Sequence, residues 1–195
     1  MGCRCSRASS SSAATAGSLA DADIIFLDID GVLNNRSSRE DGDHLPTADL
    51  LDNLRFCVSV STIIVLSSTW RLDSTLRLPL IETLKSVGLS VHSSTPDLEK
   101  LHTGDRVDEI ICWLREHDHS ASAPWVAIDD LDLLAMNPKM QSAHFVRTLD
   151  GTGLTRANAE EVIFKLRQLR SSADEPMRAS SETVRKVEIR TSSSS

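Results

Sequence analysis

The sequence predicts a three-layer, doubly wound α/β domain around a mostly parallel central sheet. Three observations predict it. The runs Ile24-Ile25-Phe26-Leu27, Thr62-Ile63-Ile64-Val65-Leu66 and Trp125-Val126-Ala127-Ile128 are continuously apolar rather than alternating, as strands buried on both faces are. Segments with apolar residues at helical spacing separate them, and strand–helix alternation favours parallel pairing through right-handed crossovers. Each run also ends in carboxylates or hydroxyls, and in open parallel sheets ligands bind in the crevice beyond the carboxyl ends of the strands.

Taken in order, the first strand ends in Asp28-Ile29-Asp30-Gly31-Val32-Leu33, where a glycine lets the chain turn sharply. The stretch Asn34 to Pro46 is polar and charged and reads as a loop over the strand tip. Thr47 is placed to cap a helix running to about Val58, with Leu50, Leu51, Leu54 and Val58 on one face. The second strand, Thr62–Leu66, leads into Ser67-Ser68-Thr69-Trp70-Arg71. A helix follows over Leu76 to Val87, with Pro79 near its first turn and Gly88 as its stop. Leu89 to His92 is a short third strand. From Gly104 the spacing of Val107, Ile110, Ile111 and Leu114 marks an amphipathic helix ending near His117. The fourth strand closes on Asp129-Asp130. A fifth, His144 to Arg147, leads through Asp150-Gly151-Thr152-Gly153 to a last helix capped by Thr155 and carrying Val162, Ile163, Leu166 and Leu169.

The chain of 195 residues is 40% hydrophobic, enough for one domain with a genuine core. Residues 1–20 are mostly Ser, Ala, Gly and Cys, and residues 171–195 show little apolar periodicity. Both are expected to be disordered, because neither can bury enough apolar surface to offset the entropy of ordering. The domain is therefore expected over residues 21–170. The first twenty residues carry two arginines and no acid, and the last twenty-three balance four acids against four bases. The whole net charge of −7 thus reflects an acidic domain. That excludes a broad nucleic-acid groove, which needs a basic stripe, but permits binding of one phosphorylated end. The four cysteines lack zinc-site spacing, and no secretory segment implies a disulfide framework. The leader Met1-Gly2-Cys3-Arg4-Cys5-Ser6 fits the N-myristoylation pattern at Gly2, with Cys3 and Cys5 as candidate palmitoylation sites. Two acyl chains give stable anchoring where one is marginal. The expected location is cytoplasmic, with peripheral membrane attachment through this leader.

Asp28 and Asp30 are two acids crowded at one strand tip, where they repel each other. A divalent cation such as Mg²⁺ compensates them, since it prefers hard oxygen ligands and bridges to phosphate. Ser67 stands at the tip of the second strand, with Ser68 as the alternative register, and its hydroxyl can donate to a phosphoryl oxygen. Asp129 and Asp130 repeat the acidic tip on the fourth strand.

The pattern of an apolar strand followed by Asp28-Ile29-Asp30-Gly31 resembles motif I of the haloacid dehalogenase (HAD) superfamily, most of whose members are Mg²⁺-dependent phosphohydrolases or phosphotransferases. The resemblance implies a HAD-like Rossmannoid fold with Asp28 as nucleophile and Asp30 as general acid/base. It further implies Ser67 as the motif II hydroxyl and Asp130 as the acidic metal ligand, with Asp129 as neighbour or substitute. Mg²⁺ is then held by Asp28, the Asp30 carbonyl and Asp130. For the basic residue of motif III, Arg106 at the start of its helix is the first choice, with Lys100 and Arg71 as alternatives; with Ser67 it would stabilise the phosphoryl group. Ser67-Ser68-Thr69-Trp70-Arg71, the helix start Gly104-Asp105-Arg106-Val107-Asp108-Glu109-Ile110, Trp125 to Asp130, and Gly153-Leu154-Thr155 look like the HAD domain of Swiss-Army-knife RNA-repair proteins. That group implies a substrate with a phosphorylated nucleic-acid end. Trp70 is then a candidate to stack a base and Arg71 to pair with a phosphate, against packing and ion-pair roles for the same two residues. Only 36 residues separate Asp30 from Ser67, which leaves no room for a substantial cap and suits an extended substrate.

Gly151-x-Gly153 lacks the third glycine and the acid of a dinucleotide fingerprint. His117-Asp118-His119 follows a helix end, where such residues are ordinarily solvated. A second functional reading is a catalytically silent phosphate-binding or scaffolding module tethered to membranes by the acylated leader. Neither substrate identity nor oligomeric state follows from the sequence. Exchange of Gly2→Ala is expected to move the protein from the membrane to the supernatant fraction of eukaryotic cells; an unchanged distribution refutes the myristoyl reading.

Overall fold

The computed structural model describes residues 22–40, 44–98, 100, 103–117 and 124–172. The leader with Gly2, Cys3 and Cys5, the tail beyond residue 172, and Asp118 and His119 lie outside the described residues. Five strands, β1 (Asp23–Leu27), β2 (Thr62–Leu66), β3 (Val91–Ser94), β4 (Trp125–Asp129) and β5 (Phe145–Arg147), form one sheet in the order β3-β2-β1-β4-β5. Every pairing is parallel. The helices are α1 (Arg36–Glu40), α2 (Ala48–Cys57), α3 (Ser74–Ser86), α4 (Arg106–Glu116), α5 (Leu133–Met136) and α6 over residues 156–172.

Side chains of β1 alternate between two cores, as the period of a strand requires. Ile25 and Leu27 join Leu50, Leu51 and Leu54 of α2, Leu80 and Leu84 of α3, and Ala159, Val162 and Leu166 of α6. Ile24 and Phe26 join Val107, Ile110, Trp113 and Leu114 of α4 and Leu133 of α5. Helices thus cover both faces. The chain winds outward from β1 through β2 to β3, then crosses the sheet through α4 to start again at β4, beside β1. Strand order therefore reverses between β1 and β4, and the carboxyl ends of those two strands open the crevice where α/β sheets bind ligands.

Several local expectations differ from the structure. Helix α3 begins at Ser74, because the Asp73 side chain caps it by accepting from the Thr75 N–H at 2.8 Å, so Pro79 falls in its second turn. The same helix ends in a Schellman motif: Gly88 N–H donates to the Lys85 carbonyl and Leu89 N–H to the Leu84 carbonyl. Leu89 is consumed by that motif, so β3 starts at Val91 rather than Leu89. Helix α1 interrupts the loop expected over Asn34 to Pro46, and α5 follows β4 without having been anticipated. Thr47 stands at the N-cap of α2 but makes no side-chain capping bond there. At α6, Thr155 and Asn158 cap reciprocally: the Thr155 N–H donates to Asn158 Oδ1 and the Asn158 N–H to Thr155 Oγ1.

The turn between β5 and α6 packs on the β1 loop through a glycine. Gly153 has φ +66°, and a Cβ there would lie 2.8 Å from both Leu50 Cδ1 and the Val32 carbonyl oxygen. The Leu154 N–H donates to that same carbonyl at 2.8 Å. Gly153→Ala is expected to cost about 1–3 kcal/mol in urea unfolding, whereas Gly151→Ala, in open space at the same turn, stays within about 0.5 kcal/mol.

Candidate active site

Three backbone bonds bring the tips of β1, β2, β4 and β5 level. The Asp28 N–H donates to the Ile128 carbonyl (3.0 Å), the Ser67 N–H to Leu27 (2.8 Å) and the Thr148 N–H to Asp129 (3.0 Å). Asp28, Ser67 and Asp129 are consequently buried side by side although none is apolar. Beyond Asp28 the chain folds over the Ile29 carbonyl, which accepts from the N–H groups of Val32, Leu33 and Asn34. Ile29, Val32 and Leu33 anchor this turn in the core. Gly31 permits it with φ +70°, and a Cβ there would lie 2.5 Å from Asp130 Oδ2. The turn after β1 and Asp130, the residue just past β4, nest against each other, and the Thr148 hydroxyl holds the Gly31 carbonyl at 2.8 Å.

Burial raises the proton affinity of Asp28, against the Arg106 guanidinium and the Ser68 hydroxyl bond, which lower it. Asp129 is pushed up to about 7, by burial and by the Asp28 carboxylate, with Arg106 acting against both. Burial also raises Asp130, with the Asp150 charge adding to it. Arg106 supplies the countercharge: one nitrogen, Nη1, donates to Asp28 Oδ1 at 3.0 Å and to Asp129 Oδ2 at 2.8 Å. Burial disfavours the guanidinium charge, yet the two carboxylates outweigh it, so Arg106 holds its proton more tightly than an ordinary arginine. Helix α4 fixes its position. Asp105 and Asp108 form a capping box, and Asn137 Nδ2 donates to both Asp105 oxygens.

Oxygens of Asp28, Asp129 and Asp130 all lie within 4.8 Å of one another. Three hard anionic donors at the switch point, packed so tightly that Gly31 admits no side chain, are a set that fits a hard divalent cation. Asp30 stands beside them, half-buried, with its Oδ2 accepting from the Trp70 indole N–H at 2.9 Å. Ser67 Oγ is buried without a hydrogen-bond partner among the described residues, as expected of a hydroxyl reserved for a ligand. Ser68, the alternative register, is instead engaged with Asp28 and accepts from the Trp70 N–H.

The structure brings Arg106 to the acids and takes Arg71 elsewhere. Arg71 pairs with Glu109 at 2.7 Å and donates to the carbonyls of Ser68, Thr95 and Pro96, with both side chains buried. Its expected phosphate contact is therefore corrected to a structural one, because its donors are spent inside the protein. Trp70 is only 4% exposed, which corrects the base-stacking expectation: its ring face is covered by the core. Lys100 is exposed, with its backbone N–H bonded to Asp97.

Sequence reasoning missed two partners. Arg39 of α1 pairs with Asp150, which Arg36 also holds at 3.1 Å, and it donates to the Asn34 carbonyl and side-chain oxygens. The charges of Asp30 and Asp130 also strengthen Arg39's hold on its proton, behind the Asp150 bond, so this cation belongs to the rim of the acidic cluster. The other is the bond from Trp70 to Asp30, between residues 40 apart in the chain. No local pattern signals either contact.

A carboxyl whose folded-state pKa lies above its unfolded value stabilises the fold below the unfolded value and loses that contribution as pH rises through the folded one. For Asp129 without metal, the loss runs from about pH 4 to above the folded value of about 7. In chelator, Asp129→Asn is expected to melt higher than wild type at pH 8, with an advantage that shrinks as pH falls and vanishes near about pH 4; a pH-independent difference refutes the assignment.

Searches of curated proteins and of solved structures return no match to this chain. A family model described as the HAD domain in Swiss Army Knife RNA repair proteins matches residues 24–159, from the first residues of β1 into α6. With the parallel 3-2-1-4-5 sheet and the acids at its switch point, the chain belongs to this family of HAD domains.

Proposed function

We propose that this domain is a Mg²⁺-dependent phosphohydrolase acting on phosphomonoesters through an aspartyl-phosphate on Asp28. The observation that carries the reading is the convergence of Asp28, Asp129 and Asp130 beside Arg106 and the Ser67 hydroxyl, which has no partner among the described residues. Asp28, Asp130 and the Asp30 carbonyl are the groups that would hold Mg²⁺, with Asp129 adjoining them. When bound, the ion supplies positive charge to the phosphoryl oxygens and to the crowded carboxylates.

The chain's own residues divide the remaining work. Arg106 opposes the rise in the Asp28 pKa and so favours the ionised nucleophile. Ser67 offers its hydroxyl to a phosphoryl oxygen, and Asp30 gives a proton to the leaving group and takes one from the water that follows. Among the described residues the only helix added between β1 and α2 is the five-residue α1, so the crevice suits an extended substrate. The family description names RNA repair proteins, and the substrate class that joins this to phosphomonoester chemistry is a phosphorylated nucleic-acid end, engaged locally by a domain too acidic for a broad groove.

Phosphate release measured with Mg²⁺ across nucleic-acid 3′ and 5′ phosphates, phosphopeptides and small phosphorylated metabolites tests both parts. Turnover on at least one class is expected, reduced about 10³-fold or more by Asp28→Asn. Activity that survives this exchange removes Asp28 as nucleophile. Phosphate-dependent binding without turnover across the panel identifies a silent binding module instead.

A further inference from the structure

Trp70 is the residue nearest the chemistry whose role the hydrolase reading leaves open. It follows β2 in a 3-10 turn, its backbone N–H held by Ser68 Oγ and its carbonyl by the Asp73 N–H, so the backbone that carries the indole is bonded on both sides. The ring is buried, and its one polar atom, Nε1, lies 2.9 Å from Asp30 Oδ2. Among the described residues no other side chain hydrogen-bonds to the Asp30 carboxylate.

An indole N–H donates and never accepts. It therefore commits Oδ2 permanently as an acceptor and leaves Oδ1 as the oxygen able to carry a transferable proton. A carboxylate free to rotate would present either oxygen, and only a fraction of its orientations would place the proton on the leaving group. Building on the reading of Asp30 as general acid/base, we infer that Trp70 is the positioning residue of that acid: its N–H pins Oδ2 so that the proton travels through Oδ1. In the first step an Asp28 oxygen bonds to phosphorus, the bond from phosphorus to the ester oxygen breaks, its electron pair leaves with that oxygen, and the Asp30 Oδ1 proton neutralises it. In the second, water attacks phosphorus, the Asp28–phosphorus bond breaks, and the water proton returns to Oδ1.

Leaving groups separate positioning from packing. An alkoxide departs only if protonated, whereas p-nitrophenolate departs without a proton, so a defect confined to the acid shows on alkyl phosphates and spares the nitrophenyl ester. Trp70→Phe keeps the buried ring and removes the donor. Its kcat/KM is expected to fall about 10-fold or more on alkyl phosphates and under about 3-fold on p-nitrophenyl phosphate, following the direction of Asp30→Asn. An equal loss on both, or none, overturns the inference. Should Asp28→Asn prove inactive and Asp30→Asn leaving-group dependent while Trp70→Phe is flat, the inference fails and the hydrolase reading stands. If Asp28→Asn stays active, the hydrolase reading itself fails. Proton NMR of the indole N–H resonances provides an arm that needs neither turnover nor the Trp70 variant. Asp30→Ala is expected to shift one indole N–H upfield and speed its exchange with solvent; three unmoved resonances overturn the inference.

Discussion

Two buried carboxylates, Asp28 and Asp129, with half-buried Asp130 beside them, would repel one another and resist ionisation; one guanidinium nitrogen, Arg106 Nη1, donates to the two buried ones. Much of the surrounding structure serves to keep that nitrogen in place. The capping box at Asp105 sets the first turn of α4, Asn137 after α5 grips the cap from the far side, and Lys139 pairs with Asp108 at 2.6 Å. A cation in the first turn opposes the helix dipole, and at this position the carboxylates of Asp28 and Asp129 more than compensate.

The same helix performs a second task one turn later. Glu109 sits on the face of α4 that carries Arg106, reaching Arg71 and the Leu98 N–H, so the loop after β2 and the loop after β3 are tied to one buried acid. Removing one partner of such a pair leaves a buried charge unpaired, a cost of several kcal/mol. Through Arg71 this tie steadies the turn that carries Ser67, Ser68 and Trp70. Trp70 in turn reaches Asp30. The site is thus a closed circuit in which α4 touches Asp28 directly through Arg106 and Asp30 indirectly through Arg71 and its neighbours.

The strand tips were legible because their signals are local. A continuously apolar run ending in Asp28 and Asp30, another in Ser67, and a third in Asp129 and Asp130 can each be read without knowing what lies opposite. The periodicity of α4 located Arg106 at a helix start for the same reason. Trp70 and Arg71 show the limit. An aromatic and a cation beside a phosphate site suit an exposed binding surface and a buried brace equally well in sequence. The choice was made by Glu109, Thr95 and Pro96, which only folding brings alongside. The start of β3 and the extent of α3 were misplaced because capping by Asp73 and the Schellman bonds at Gly88 and Leu89 claimed residues that propensity alone leaves free.

By itself the sequence determined the strand–helix alternation, the parallel sheet and the acids and hydroxyl at the strand tips, since burial on both faces and helical amphipathicity are written in residue order. Tertiary structure decided which charges meet: that Arg106 rather than Arg71 faces Asp28, that Arg39 pairs with Asp150, and that the Trp70 indole ends on Asp30. Hydrogen bonds and ion pairs depend on distances of about 3 Å. The order in which the strands enter the sheet sets those distances, not the spacing of residues along the chain.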